Sequence, residues 1–239
     1  MFIKYLDNRF LTLIVIPFFL GALSVFSFQP YNLTILNFFI LPTIFYLIIF
    51  IKKKSKSTYR KKPFKKNLFI FGTVFGFGFF LSGLHWIVNS LTFDESFKIL
   101  IPFGLILVPL FLSLFFSIAI LLIGPFLNYN INSIILFSGT LGAVDYVRSK
   151  VLTGFPWNLW SYSFSWALDI LQILNVIGLF AFNLITISLF MLPAIIFCNS
   201  KLSSKFFYLS MIPVILLALY IYGNHSINQN QYFLDNIDK

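Results

Sequence analysis

Seven long runs of almost uninterrupted apolar residues constrain this chain more than any other feature. They lie at about 10–27, 32–51, 67–90, 99–123, 131–148, 167–198 and 206–222. Each is long enough, or nearly so, to cross roughly 30 Å of hydrocarbon. Only 10% of the 239 residues are charged, against roughly 25% in soluble domains. That shortage excludes a soluble globular protein, and the 59% of hydrophobic residues excludes a disordered one. Inside lipid the backbone must satisfy its own hydrogen bonds, so the spans are expected to be helices. The continuous runs lack the alternation of a membrane β-barrel. The expected fold is an all-α polytopic membrane protein with about seven transmembrane helices. The first two runs carry Pro17, Pro30 and Pro42 and suit a tilted or partly re-entrant pair. The sixth is too long for one perpendicular span, so its start near Asp169 is expected in the interface or the preceding loop.

Lysine and arginine set the orientation. With the N-terminus in the cytoplasm, 13 of the 17 basic residues fall inside, nine of them between Lys52 and Lys66. Six of the seven acids, all but Asp7, fall outside. Seven crossings then place the tail from Gly223 to Lys239 in the periplasm. The basic run KKKSKSTYRKKPFKK is read as a topology signal gripping the inner leaflet rather than a nucleic-acid or anionic-lipid site. MFIKYLDNRF and the apolar run after it lack a small-residue cleavage site, so an uncleaved first span is expected.

The sole cysteine, Cys198, excludes a disulfide framework and a cysteine-based metal site within the chain. Neither an acid nor a histidine accompanies it to make a reactive thiolate. His85 is read as part of an interfacial aromatic cluster with Trp86, since the only other histidine is His225. No metal or cofactor is expected. Gly72 and Gly76 have the small-xxx-small spacing that lets a neighbouring helix approach closely.

The chemistry-bearing stretch begins at the outer end of the fifth run. Asp145 and Arg148 are three apart and share a helix face. An ion pair at membrane depth marks a site, whereas the same pair at the interface merely snorkels, and the spacing fits both. TGFPWNLWSYSFSW follows, with helix breakers Gly154 and Pro156 and three of the chain's four tryptophans. Those aromatics suit an interfacial belt, or a rim for a lipid headgroup or acyl chain.

Three segments resemble the N-terminal membrane domain of apolipoprotein N-acyltransferases: GALSVFSFQPYNL (21–33), GTVFGFGFFLSGLHWIVNSL (72–91) and, most specifically, DYVRSKVLTGFPWNLWSYSF (145–164). Asp145 stands where the family usually has Glu, Ser161 where it has Gly, and His85 where Tyr is common. The resemblance implies a bacterial inner-membrane protein of lipoprotein maturation, with phospholipid and lipoprotein substrates. It implies lipid contact by Trp157, Pro156, Phe155, Gly154, Arg148, Asp145 and Tyr162. Family members carry a nitrilase-like domain with a Glu–Lys–Cys triad after the seventh span. This sequence stops at Lys239, about where that domain would begin, and no cysteine follows Cys198. The resemblance therefore implies a membrane domain over 1–222 and a short extracytoplasmic tail over 223–239. It implies no catalytic residue in the chain, and the catalytic half on a separate nitrilase-like partner or missing. The alternatives are a non-enzymatic lipid-binding scaffold and a small transporter; no internal repeat favours the transporter.

Overall fold

The computed structural model describes residues 6–56, 64–151, 154 and 156–237, and among them every regular element is helical. Each of the seven apolar runs carries a helix. We label Leu11–Ser27 α1, Asn37–Lys56 α2, Phe64–Leu84 α3, Ile101–Ile123 α4, Ile131–Arg148 α5, Leu168–Leu171 α6, Leu174–Met191 α7 and Leu202–Ile237 α8. With the short 3-10 turns that extend some of them, five helices are long and apolar enough to cross a membrane: those built on α2, α3, α4, α7 and α8. The protein is a helical polytopic membrane protein. α1 is shorter, and α5 is interrupted by Asn132, Ser133, Ser138, Thr140 and Asp145.

Local chemistry sets several boundaries. Asn130 caps α5, its side-chain oxygen accepting from the Ser133 amide at 2.9 Å. Pro102 sits in the first turn of α4, where its missing N–H costs nothing. The long sixth run is broken into two helices. α6, which contains Asp169, is a separate stub, and Gly178 takes φ 75° near the start of α7, a conformation open mainly to glycine. The last helix runs further than its apolar stretch, through residues 223–237. Asn228 donates to Asn224 Oδ1 one turn earlier at 3.0 Å, so side-chain amides line the exposed end.

α3 is the centre of the bundle. It packs against α1 on one side and α4 on the other, while α5 pairs with α7 and α2 leans on α7 and its 3-10 extension Leu192–Phe197. Phe71, Phe75, Phe79 and Phe80 of α3 are all buried, and Phe116 of α4 meets Phe75 edge-on at 5.3 Å. α8 is nearly bare along its apolar length, as a helix facing lipid would be.

The turns sort to two poles. At one, Arg9 meets Asn67 at 2.9 Å, Lys52 donates to the Leu127 carbonyl at 2.6 Å, and the Asn199 amide donates to the Tyr129 carbonyl at 3.1 Å. At the other, Trp166 donates to Thr34 Oγ1 at 2.8 Å, and Thr34 donates to the Ser163 carbonyl at 2.6 Å. Alternate turns thus gather at opposite ends, as successive crossings require. The first pole holds the lysine-rich run as far as it is described; Arg60, Lys61 and Lys62 lie outside the described residues. We call it the lysine-rich pole, and the other the aromatic pole.

Candidate functional site

At the aromatic pole the chain leaves α5 and makes a sharp bend before the 3-10 turn Trp160–Phe164. Gly154 holds φ 81°, and a Cβ there would come within 2.5 Å of the Ser149 carbonyl oxygen. Asn158 also adopts a left-handed conformation, φ 54°, which asparagine tolerates better than most residues. A Gly154→Ala variant meets both the backbone strain and the clash. It should lose about 1–2 kcal/mol of stability, read as a lower midpoint in thermal unfolding.

Beneath the bend lies a buried polar network. The Asp145 and Arg148 side chains are 3% and 1% exposed, and Arg148 Nη2 donates to Asp145 Oδ1 at 3.0 Å. The snorkelling alternative is thereby excluded, because this pair is inside the protein. Arg148 Nη1 also donates to the Trp157 carbonyl at 2.7 Å. The guanidinium lies 5.2 Å from the Phe80 ring centre. Asn183 of α7 completes the network: it donates to Asp145 Oδ2 at 2.8 Å and accepts from the Ser161 amide at 3.0 Å. One buried chain of contacts therefore ties α5, α7 and both ends of the bend. A charge pair held away from water persists only when its lone pairs and protons find such partners.

Two tryptophans of the bend have opposite fates. Trp160 is 1% exposed and stacks on Phe79 of α3, with centroids 5.2 Å apart and planes 18° apart. Trp157 is 46% exposed, and its ring leans on Trp86 at 4.9 Å. Trp86 in turn is anchored by its indole N–H on the Gly83 carbonyl at 3.1 Å. Gly83 leaves the space that Asn158 occupies, so the bend lies directly on the end of α3. His85 is exposed, its ring nitrogen Nδ1 2.8 Å from the Ser82 carbonyl.

The expected site residues thus fall into groups. Asp145, Arg148 and the backbone of Trp157 are brought together directly. Gly154 shapes the bend and Pro156 is half-buried within it. Tyr162 is half-buried within electrostatic reach of Arg148; burial pushes its phenol up and Arg148 offsets part of the rise. Phe155 lies outside the described residues. Asn183 and Trp86 join the site without the sequence having assigned them there. An amide in the middle of LFAFNLIT was the available signal for Asn183, because a polar side chain at span depth needs a partner.

The arrangement offers an exposed indole pair on a rigid footing. It contains no thiol: Cys198 is buried at the lysine-rich pole, its sulfur 3.7 Å from the Ala194 carbonyl.

A family model described as the apolipoprotein N-acyltransferase N-terminal domain matches residues 20–192, which include the whole bend. The chain belongs to the apolipoprotein N-acyltransferase family. Among relatives bearing that name, the protein of Bradyrhizobium diazoefficiens is 32% identical over 175 residues, covering 73% of this chain and 32% of its own length. That of Rhodopseudomonas palustris is 30% identical over 183 residues, covering 76% and 33%. That of Rickettsia prowazekii is 30% identical over 220 residues, covering 90% and 41%. The chain therefore spans about a third to two fifths of the length of these curated relatives.

Proposed function

We propose that this chain is the lipid-seating membrane part of an apolipoprotein N-acyltransferase of a bacterial inner membrane. Its aromatic pole would hold a phospholipid acyl donor and the diacylglyceryl-cysteine end of a lipoprotein for acyl transfer. The carrying observation is the exposed Trp157–Trp86 pair on a bend fixed from below by Arg148. Indole rings suit the boundary between headgroup and hydrocarbon, with an apolar body and one polar N–H. A backbone pinned by a buried guanidinium keeps the ring in place before lipid arrives, which lowers the ordering cost of binding.

The reading assigns lipid positioning to these residues and the nucleophile to a nitrilase-like domain or chain beyond these 239 residues. Holding the lipid ester and the nucleophile in one geometry is what such an arrangement contributes to rate. The one cysteine here is at the wrong pole for that step. On this reading 1–222 forms the membrane domain, and the helix end beyond it leads toward the catalytic part.

The test is binding of a fluorescent phosphatidylethanolamine and of a diacylglyceryl-cysteine lipopeptide to the full chain in nanodiscs. Trp157→Ala should weaken both by about tenfold, the scale of a lost aromatic anchor, with unchanged circular dichroism. Equal affinity in the variant overturns the assignment of the bend. Binding without any acyl transfer when a nitrilase-like partner is added would favour the scaffold reading.

A further inference from the structure

The lysine-rich pole carries a pocket that the proposed acyl-transfer role does not use. The segment ahead of α1, the first turn of α1, the end of α2 and the start of α3 line a cavity of about 140 Å³. Leu13, Phe50 and Ile51 give it apolar walls, and Arg9, Lys54 and Asp7 give it charge. The Arg9 guanidinium is set by an amide rather than a carboxylate. Asn67 Oδ1 accepts from Arg9 at 2.9 Å, and the Asn67 nitrogen donates on to Ser55 Oγ at 3.3 Å. Asp7, the pocket's one acid, pairs with Lys54 at 2.5 Å. The described lining residues therefore keep one net positive charge. Arg9 has five N–H donors in a planar fork, of which the Asn67 bond takes one. That fork matches the oxygens of a phosphate.

An oriented guanidinium above apolar walls, at the end of a helical bundle, has the polarity profile of a phospholipid: an anionic head over a greasy body. Lys53, Lys65 and Lys66 flank the mouth in sequence and raise the local concentration of anions. We infer that this pocket binds the phosphate of an anionic phospholipid, with Arg9 as the phosphate ligand and Asn67 as the residue that orients it. On the charge-based orientation this is a lipid of the cytoplasmic leaflet. The site is independent of the aromatic pole and survives if the lipid-seating role there fails.

Native mass spectrometry of the full chain, released from phosphatidylcholine nanodiscs doped with phosphatidylglycerol, tests it. The unaltered chain should retain phosphatidylglycerol over phosphatidylcholine. Arg9→Ala should cut that retention about tenfold, the weight of one charge-assisted hydrogen bond. Arg9→Lys keeps the charge but not the fork, and should fall between the two. Lys65→Ala removes one diffuse charge outside the pocket lining and should cost only a small fraction of the Arg9→Ala loss. Equal losses in Arg9→Ala and Lys65→Ala would reduce the effect to diffuse charge and overturn the site. Arg9-dependent retention of inorganic phosphate, without retention of phosphatidylglycerol, would overturn the lipid assignment and leave a free-anion site.

Discussion

Replacing Arg148 with alanine is expected to destabilise the protein more than any other single change at the aromatic pole. The substitution leaves the Asp145 carboxylate inside the bundle with the Asn183 amide but without the guanidinium, and it removes the donor that Arg148 gives the Trp157 carbonyl. Breaking one side of a buried ion pair costs about 3–5 kcal/mol, a large part of the roughly 5–15 kcal/mol by which folded proteins exceed their unfolded states. Polar contacts between membrane helices often measure smaller, so the lower end of that range applies. Unfolding in mixed micelles of rising SDS fraction, followed by far-UV circular dichroism, gives the number.

The double variant Asp145→Leu with Arg148→Met separates two roles of the pair. It removes both charges together, and apolar replacements of similar volume can restore stability. Stability should recover by more than half. Lipid binding at the bend should not, because the bond from Arg148 to the Trp157 carbonyl is then gone. A double variant that recovers both would show that Arg148 holds the fold together without positioning Trp157.

Much of this architecture is legible in the residues because lipid is a demanding solvent. It selects continuous apolar runs, which place the helices, and it sorts lysine to one end, which groups the turns. Gly154 and Pro156 announce the bend, since neither continues a helix. Gly72 and Gly76 announce a close neighbour by their spacing, and the structure supplies Ser117 and Ser113 of α4 in that role. What the residues did not disclose are partnerships across long separations. The three-residue spacing of Asp145 and Arg148 fixes their common face, yet only the packing of α5 on α7 decides that this face points inward. Asn183 serves residues 22 and 38 positions earlier, and nothing local distinguishes its partner from any other polar atom. The Trp86–Trp157 contact likewise forms only once the bend lies on the end of α3. The helical course of 223–237 was hidden for a different reason: its amide-rich composition lacks the apolar signal by which the earlier helices were found.

The second large effect is expected at Gly76. A Cβ at this position would stand 2.8 Å from Ser113 Cα and 3.0 Å from Ser113 Cβ, and one at Gly72 would stand 2.7 Å from Ser117 Cα. These obstacles are at or next to the backbone of α4, so no rotamer change relieves them. Gly76→Leu must push α3 and α4 apart. Apolar side chains gain little by leaving lipid, so helix association here rests on close packing and interhelical hydrogen bonds. Separation would strain the 2.7 Å Thr73–Ser117 hydroxyl contact and loosen Phe116 against Phe75 and Phe79. Overpacking of this kind costs about 1–3 kcal/mol, with the upper end expected where backbone must move. The disturbance should also reach the site, because Trp160 stacks on Phe79 and carries the bend. Gly139 of α5 is the matched control: a Cβ there meets nothing within 4 Å, so Gly139→Leu should stay within about 0.5 kcal/mol of the parent. SDS unfolding of the two variants side by side decides the matter. Equal midpoints would mean that α3 and α4 do not touch at glycine, and the footing proposed for Trp157 would lose its lower half.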